Sequence, residues 1–174
     1  LNRNIKSNRL NFTTELNKTV RDSDIVFIAV GTPSRRGDGY ADLSFVFNAA
    51  EEIAKAINGY TLVVTKSTVP VGTGQKVKEI IKKTNPKLDF DVVSNPEFLR
   101  EGSAIEDFMR PDRVVVGVET EKAKKIMSTL YRPLYLLETP IVYTSLESSE
   151  LIKYASNAFL AVKISYINQM SDLC

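Results

Sequence analysis

Short apolar runs that alternate with segments of helical periodicity constrain this chain more than any other feature. Ile25–Val30 (IVFIAV), Thr61–Thr65 (TLVVT), Phe90–Ser94 (FDVVS), Arg113–Val118 (RVVVGV) and Pro140–Tyr143 read as strands. Their apolar residues sit mostly on consecutive positions, without the in-and-out alternation of a half-exposed sheet, so both faces must be covered. Asp42–Asn58 places Leu43, Val46, Phe47, Ala50, Ile53, Ala54 and Ile57 at helical spacing, and Asn58-Gly59 stops it. Gly72–Lys83 and Glu121–Leu134 read as further helices, and Glu147–Cys174 as a long one. Strand and helix in alternation predict a parallel sheet with right-handed crossovers, a doubly wound α/β domain. The pattern stops near Thr144–Glu147, which predicts one domain over residues 1–145 and the start of a second, helical one over 146–174.

Composition removes several classes of function. With 23 basic and 21 acidic residues the net charge is only +2, and no Lys/Arg block supplies a basic stripe. No nucleic-acid or membrane partner is therefore expected. The chain has no histidine, which takes away the commonest general base and the commonest zinc ligand. Acid–base work falls to Glu, Asp, Lys or Tyr, and no metal is expected. A lone cysteine, Cys174, forms no internal disulfide, and no apolar run is long enough to span a bilayer. A cytoplasmic protein is the simplest expectation.

In an open sheet of this kind, ligands sit beyond the carboxyl ends of the strands. Gly31-Thr32-Pro33 follows the first strand, and the polar, glycine-rich RRGDGYAD after it reads as a mobile or ligand-covering loop. Lys66–Thr73 follows the second strand. Ser67, Thr68 or Thr73 caps the next helix there, or that helix presents free N–H groups to an anion or a positioned water. Asn95–Ser103 follows the third strand and crowds Glu97, Arg100 and Glu101 around Phe98 and Leu99. On a helical turn Glu97 and Glu101 share a face, and paired carboxylates push one pKa upward for proton transfer. Lys153 and Asn157, four apart on the last helix, point the same way. Together they suit an oxygen that gains negative charge in a transition state, or they are an incidental helix edge.

Taken in order, IVFIAVGTP, VVTKSTVPVGT, SNPEFLREGSAIEDFMRPDRVVVG and ELIKYASNAFLAVKISYINQ resemble the nucleotide-sugar dehydrogenase family over nearly the whole chain. Phe98 after the Pro-Glu pair resembles the branch that acts on UDP-glucose, with GDP-mannose as the rival substrate. The resemblance implies oxidation of a sugar CH₂OH to a carboxylate with two NAD⁺ and one water, through a covalent intermediate on a cysteine. It implies Thr68 beside NAD and the hydrolytic water, Glu97 as the acid–base group, and Lys153 with Asn157 at the oxyanion. It implies Phe98, Leu99, Arg100 and Glu101 framing the substrate, with Glu101 also facing NAD. It implies Val30, Gly31, Thr32 and Pro33 bordering the cofactor, and a long helix that builds a homodimer.

The family's glycine fingerprint, G-x-G-x-x-G, does not occur in the chain, and Cys174 lies in the helical context INQMSDLC, not in the family's glycine-rich cysteine segment. Leu1 opens the chain, and the last helix is still running at residue 174. The expectation is an incomplete NAD-binding domain and the start of a central helical domain, which alone neither oxidises UDP-glucose nor binds NAD tightly. A non-catalytic module that keeps a sugar-nucleotide pocket or a dimer surface is the alternative. The segments are expected to converge on one cleft that brings Thr68, Glu97, Lys153 and Asn157 together.

Overall fold

The computed structural model describes residues 1–135 and 139–174. In chain order the elements are α1 (Asn2–Lys6), α2 (Leu16–Arg21), β1 (Ile25–Ile28), α3 (Ser44–Ala56), β2 (Thr61–Thr65), α4 (Thr73–Thr84), β3 (Phe90–Ser94), α5 (Ala104–Met109), β4 (Val114–Gly117), α6 (Glu121–Tyr135), β5 (Ile141–Thr144) and α7 (Leu146–Leu173). The strands form one sheet in the order β1-β2-β3-β4-β5. Every residue of β2 is buried, so both faces of the strand are covered, as its apolar centre Leu62-Val63-Val64 requires. Val63 joins Val46, Ala50, Ile53, Val77 and Ile81 of α3 and α4 on one face. Leu62 and Val64 join Val114, Val116, Ala123, Met127 and Tyr131 on the other, under α6.

The sheet departs from the all-parallel expectation at one seam. β1, β2 and β3 are parallel, β4 and β5 are parallel, but β3 meets β4 antiparallel at the single pair Ser94↔Gly117. A parallel return needs a crossover that packs across the sheet. The connection from β3 to β4 carries only α5, six residues with none buried, so the chain turns back on the same side. The two strand blocks therefore meet at their carboxyl ends. Strand β1 stops at Ile28, two residues short of the apolar run. Its one sheet neighbour among the described residues is β2, and Phe27 is left 40% exposed.

Helix α7 docks at this seam. Ser145 caps it by accepting the Ser148 amide at 3.2 Å, and Leu146, Ser149, Glu150 and Lys153 are its buried residues. From Tyr154 onward nearly every residue is exposed. Gly117 makes the docking possible, because a Cβ there would lie 2.7 Å from the Ser145 carbonyl oxygen and 2.9 Å from Leu146 Cα.

Candidate active site

The strand register places the loops side by side. Ile28 pairs with Thr65, Thr65 with Ser94, and Ser94 with Gly117, so the loops after β1, β2 and β3 leave one edge beside the start of α7. The first two loops are tied together. Thr32 donates its hydroxyl to the Thr68 carbonyl at 2.9 Å, and Ser67 donates to the Val30 carbonyl at 2.6 Å. Gly31 is exposed, with open space where a side chain would stand, so backbone at this strand end is free to approach a ligand. The RRGDGYAD loop is largely exposed and makes contacts within itself. The Arg35 amide donates to the Tyr40 carbonyl at 2.7 Å, and the Arg35 guanidinium reaches Asp38 at 2.8 Å.

The third loop meets α7 through Glu97. Its Oε2 lies 3.5 Å from Lys153 Nζ and accepts the Leu99 amide at 2.7 Å. Lys153 is 6% exposed, so this ammonium sits almost out of water with one carboxylate as its partner. Phe98 stacks below it, with the ring centre 5.3 Å from Lys153 Nζ and 5.4 Å from the Arg113 guanidinium. Arg100 turns away to pair with Asp107 at 2.7 Å. A half-buried carboxylate beside a buried ammonium can exchange a proton and stabilise a developing oxyanion.

A second cation underlies the same loop. Lys66 Nζ contacts Asn95 Oδ1 at 3.3 Å and Tyr131 Oη at 3.4 Å. The Tyr131 hydroxyl itself donates to Asn95 Oδ1, while Asn95 Nδ2 donates to the Val115 carbonyl at 2.8 Å. These groups floor a cleft of about 420 Å³ under the Pro96–Arg113 loop. Burial pulls the Lys66 ammonium down to about 8; attraction to Glu97 opposes this and repulsion from Lys153 adds to it. Burial pushes the Tyr131 phenol up to about 12.

Lys66 yields a stability prediction. Its folded pKa lies below its unfolded value, so the unfolded chain holds more protons between those two values and stability rises with pH across that window. At pH 7 both states are charged and the fold bears the full cost, with a ceiling on the order of 3 kcal/mol at 1.36 kcal/mol per pKa unit. Lys66→Met removes this cost and two long hydrogen bonds worth about 1 kcal/mol together. The variant is expected to be about 2 kcal/mol more stable at pH 7, an advantage that disappears by about pH 10.5. Urea melts of both proteins at pH 7, 9 and 10.5 check it, and a constant difference refutes it.

Comparison with known proteins places this arrangement. Residues 1–135 match the NAD binding domain of the UDP-glucose/GDP-mannose dehydrogenase family, and residues 147–174 match that family's central domain. The chain belongs to this family. It is 63% identical over 173 residues to the UDP-glucose 6-dehydrogenase of Rhizobium meliloti (strain 1021), covering 98% of this chain and 40% of that protein. A UDP-glucose dehydrogenase structure from Pyrobaculum islandicum superposes with a TM-score of 0.90 at 42% identity, over 97% of this chain and 39% of the other. A GDP-mannose dehydrogenase ternary complex from Pseudomonas aeruginosa gives 0.90 at 36% identity, over 96% and 39%. The chain thus spans about 40% of the length of these relatives.

Within this family frame, the expected residues divide into those the fold gathers and those it separates. Thr32 meets Thr68, and Glu97, Phe98 and Lys153 converge. Glu97 and Glu101 do not form the expected carboxylate pair. Residues 95–100 are not helical, Glu97 is half-buried and Glu101 is exposed. Pro96 holds Asn95 off the helical region, and Glu97 spends its side chain on the Leu99 amide. Asn157, one turn beyond Lys153, is exposed. The start of α4 is neither capped by Ser67, Thr68 or Thr73 nor open to an anion. The Thr73 hydroxyl donates to the Pro70 carbonyl at 2.6 Å, and the helix end is filled by Glu150 of α7. Glu150, Lys66 and Tyr131 escape a reading by motif because each acts through partners far away in the sequence.

Proposed function

We propose that this chain is part of a UDP-glucose 6-dehydrogenase that oxidises the sugar C6 alcohol to the carboxylate of UDP-glucuronate. The observation that carries it is the buried Lys153 ammonium 3.5 Å from the Glu97 carboxylate, at the strand edge where Thr32 and Thr68 join. Glu97 takes and returns the proton of the reacting hydroxyl and of the hydrolytic water, which Thr68 helps hold. Lys153 meets the negative charge that grows on the C6 oxygen, and Asn157 adds an amide donor once substrate is bound. Phe98, Leu99, Arg100 and Glu101 frame the sugar nucleotide.

Val30, Gly31, Thr32, Pro33, Thr68 and Glu101 would hold NAD, and the open backbone at Gly31 fits its close approach. NAD⁺ supplies the hydride acceptor. Cys174 is not the nucleophile of this reaction. It is exposed and lies 21 positions beyond Lys153 along one helix, about 30 Å away at 1.5 Å per residue.

Residues 1–145 form the NAD-binding part and 146–174 the start of the central helical domain. The apolar residues Phe159, Leu160, Val162, Ile164 and Ile167 of α7 are all more than half exposed, which favours a homodimer built on this helix. Among the described residues no helix is long and apolar enough to cross a membrane, consistent with a cytoplasmic enzyme.

The test is NADH formation by the full-length protein that carries this segment, with UDP-glucose, GDP-mannose and UDP-N-acetylmannosamine offered separately. Oxidation of UDP-glucose well above the others is expected. Preference for GDP-mannose would move the chain to the family's other branch, and turnover of none would leave it a non-catalytic module.

A further inference from the structure

One buried carboxylate joins the two halves of the candidate site. Glu150, in the first turns of α7, is 2% exposed. Its Oε2 accepts the Gly72 amide at 2.6 Å and its Oε1 accepts the Gly74 amide at 2.7 Å. These are amides at the start of α4, where the helix dipole is positive and the first N–H groups lack partners inside the helix. Gly72 reaches this position with φ of 91°, and a Cβ on Gly74 would stand 3.1 Å from Glu150 Oε1. The contact therefore favours glycine at Gly72 for its conformation, and a side chain at Gly74 would press Glu150 back by a few tenths of an ångström.

Glu150 lies between the residues assigned to the reaction. Just before Gly72 runs the loop whose Thr68 carbonyl receives the Thr32 hydroxyl. Three residues after Glu150 comes Lys153, on the same helix face and pressed against Glu97. Among the described residues, no hydrogen bond joins the Thr32–Thr68 pair directly to the Glu97–Lys153 pair. The strand ends join these loops through the Asn95 amide, which donates to the Thr65 carbonyl at 2.9 Å. Glu150 joins α7 itself to the start of α4, and Ser149 adds a third point by donating its hydroxyl to the Ser94 carbonyl at 3.1 Å. Burial pushes the Glu150 carboxyl up, against the pull of the glycine amides. The carboxylate offers an acceptor on each oxygen, whereas the amide of a glutamine turns an N–H donor toward one of the glycine N–H groups.

We propose that Glu150 is a positioning residue for the oxidation assigned above: it holds α7 on the start of α4, so that Lys153 and the Thr68 loop keep one register. The inference rests on that functional reading. Glu150 touches no reacting atom and acts through the placement of Lys153.

The test uses Glu150→Gln and Glu150→Asp in the full-length protein, with Lys153→Met beside them. In Glu150→Gln, hydrogen exchange at the α4 amides around Gly74 is expected to speed up at least about tenfold. kcat is expected to fall at least about tenfold with KM for the sugar nucleotide within about threefold, because a displacement near 1 Å is enough to slow a positioned reaction this much. Glu150→Asp, which keeps the charge on a shorter arm, is expected to recover part of the lost kcat. Faster exchange with unchanged kcat would reduce Glu150 to a structural cap and overturn the proposal, as would no change in either. If Glu150→Gln does not fold, Glu150→Asp is read against the same two outcomes: a lowered kcat supports the proposal and a wild-type kcat overturns it. Lys153→Met with near-normal turnover would instead sink the functional reading itself.

Discussion

Lys153→Ala in the full-length protein is expected to lower kcat for UDP-glucose about 100- to 1,000-fold, the loss seen when one preorganised donor to a developing oxyanion is removed. Lys153 is 6% exposed and faces one carboxylate, so its charge acts with little screening by water. Alanine also takes from the half-buried Glu97 the ammonium 3.5 Å away, leaving the more distant Lys66 and the Leu99 amide to balance its charge. Lys163→Ala is the control. Lys163 lies on the exposed part of the same helix, 5.8 Å from the Phe159 ring, and its loss is expected to leave kcat unchanged. Steady-state turnover of the three proteins decides the matter. A Lys153→Ala enzyme within fivefold of the parent would remove Lys153 from the chemistry.

Gly117→Ala is expected to destabilise the fold by about 3 kcal/mol, at the upper end of the cost of overpacking. An added Cβ would stand 2.7 Å from the Ser145 carbonyl oxygen, 2.8 Å from Ser149 Cβ and 2.9 Å from Leu146 Cα. Two of these neighbours are backbone, so no side-chain rotation relieves the contact and α7 must lift from β4. Lifting it strains the Ser149–Ser94 hydrogen bond and the grip of Glu150 on α4, so the loss extends beyond one methyl group. Gly59→Ala, where a Cβ meets nothing within 4 Å, is expected to stay within about 0.5 kcal/mol of the parent. Denaturant melts of both variants provide the comparison, and equal midpoints would show that α7 is not seated on Gly117.

Much of the site was legible because strand ends announce themselves. The turn residues Gly31, Pro33, Gly72 and Pro96 follow apolar runs, and ligands collect at that edge of an open sheet. The pairing of Glu97 with Glu101 failed because spacing implies a shared face only inside a helix, and residues 95–100 are not helical, with the Glu97 side chain turned back to the Leu99 amide. The cap on α4 failed for another reason. Ser67, Thr68 and Thr73 are locally suited to cap, but hydrogen bonds to Val30, Thr32 and Pro70 engage this segment, and the anion arrives from Glu150.

The sequence by itself determined the strands, the main helices and the family, because apolar periodicity and short motifs are local properties that survive without knowledge of neighbours. Only the tertiary structure decided that β4 returns antiparallel, since strand direction depends on whether a connection crosses the sheet. Only it paired Glu97 with Lys153 across 56 positions and Glu150 with Gly74 across 76, because burial brings distant charges within reach of each other and makes an unpaired one costly.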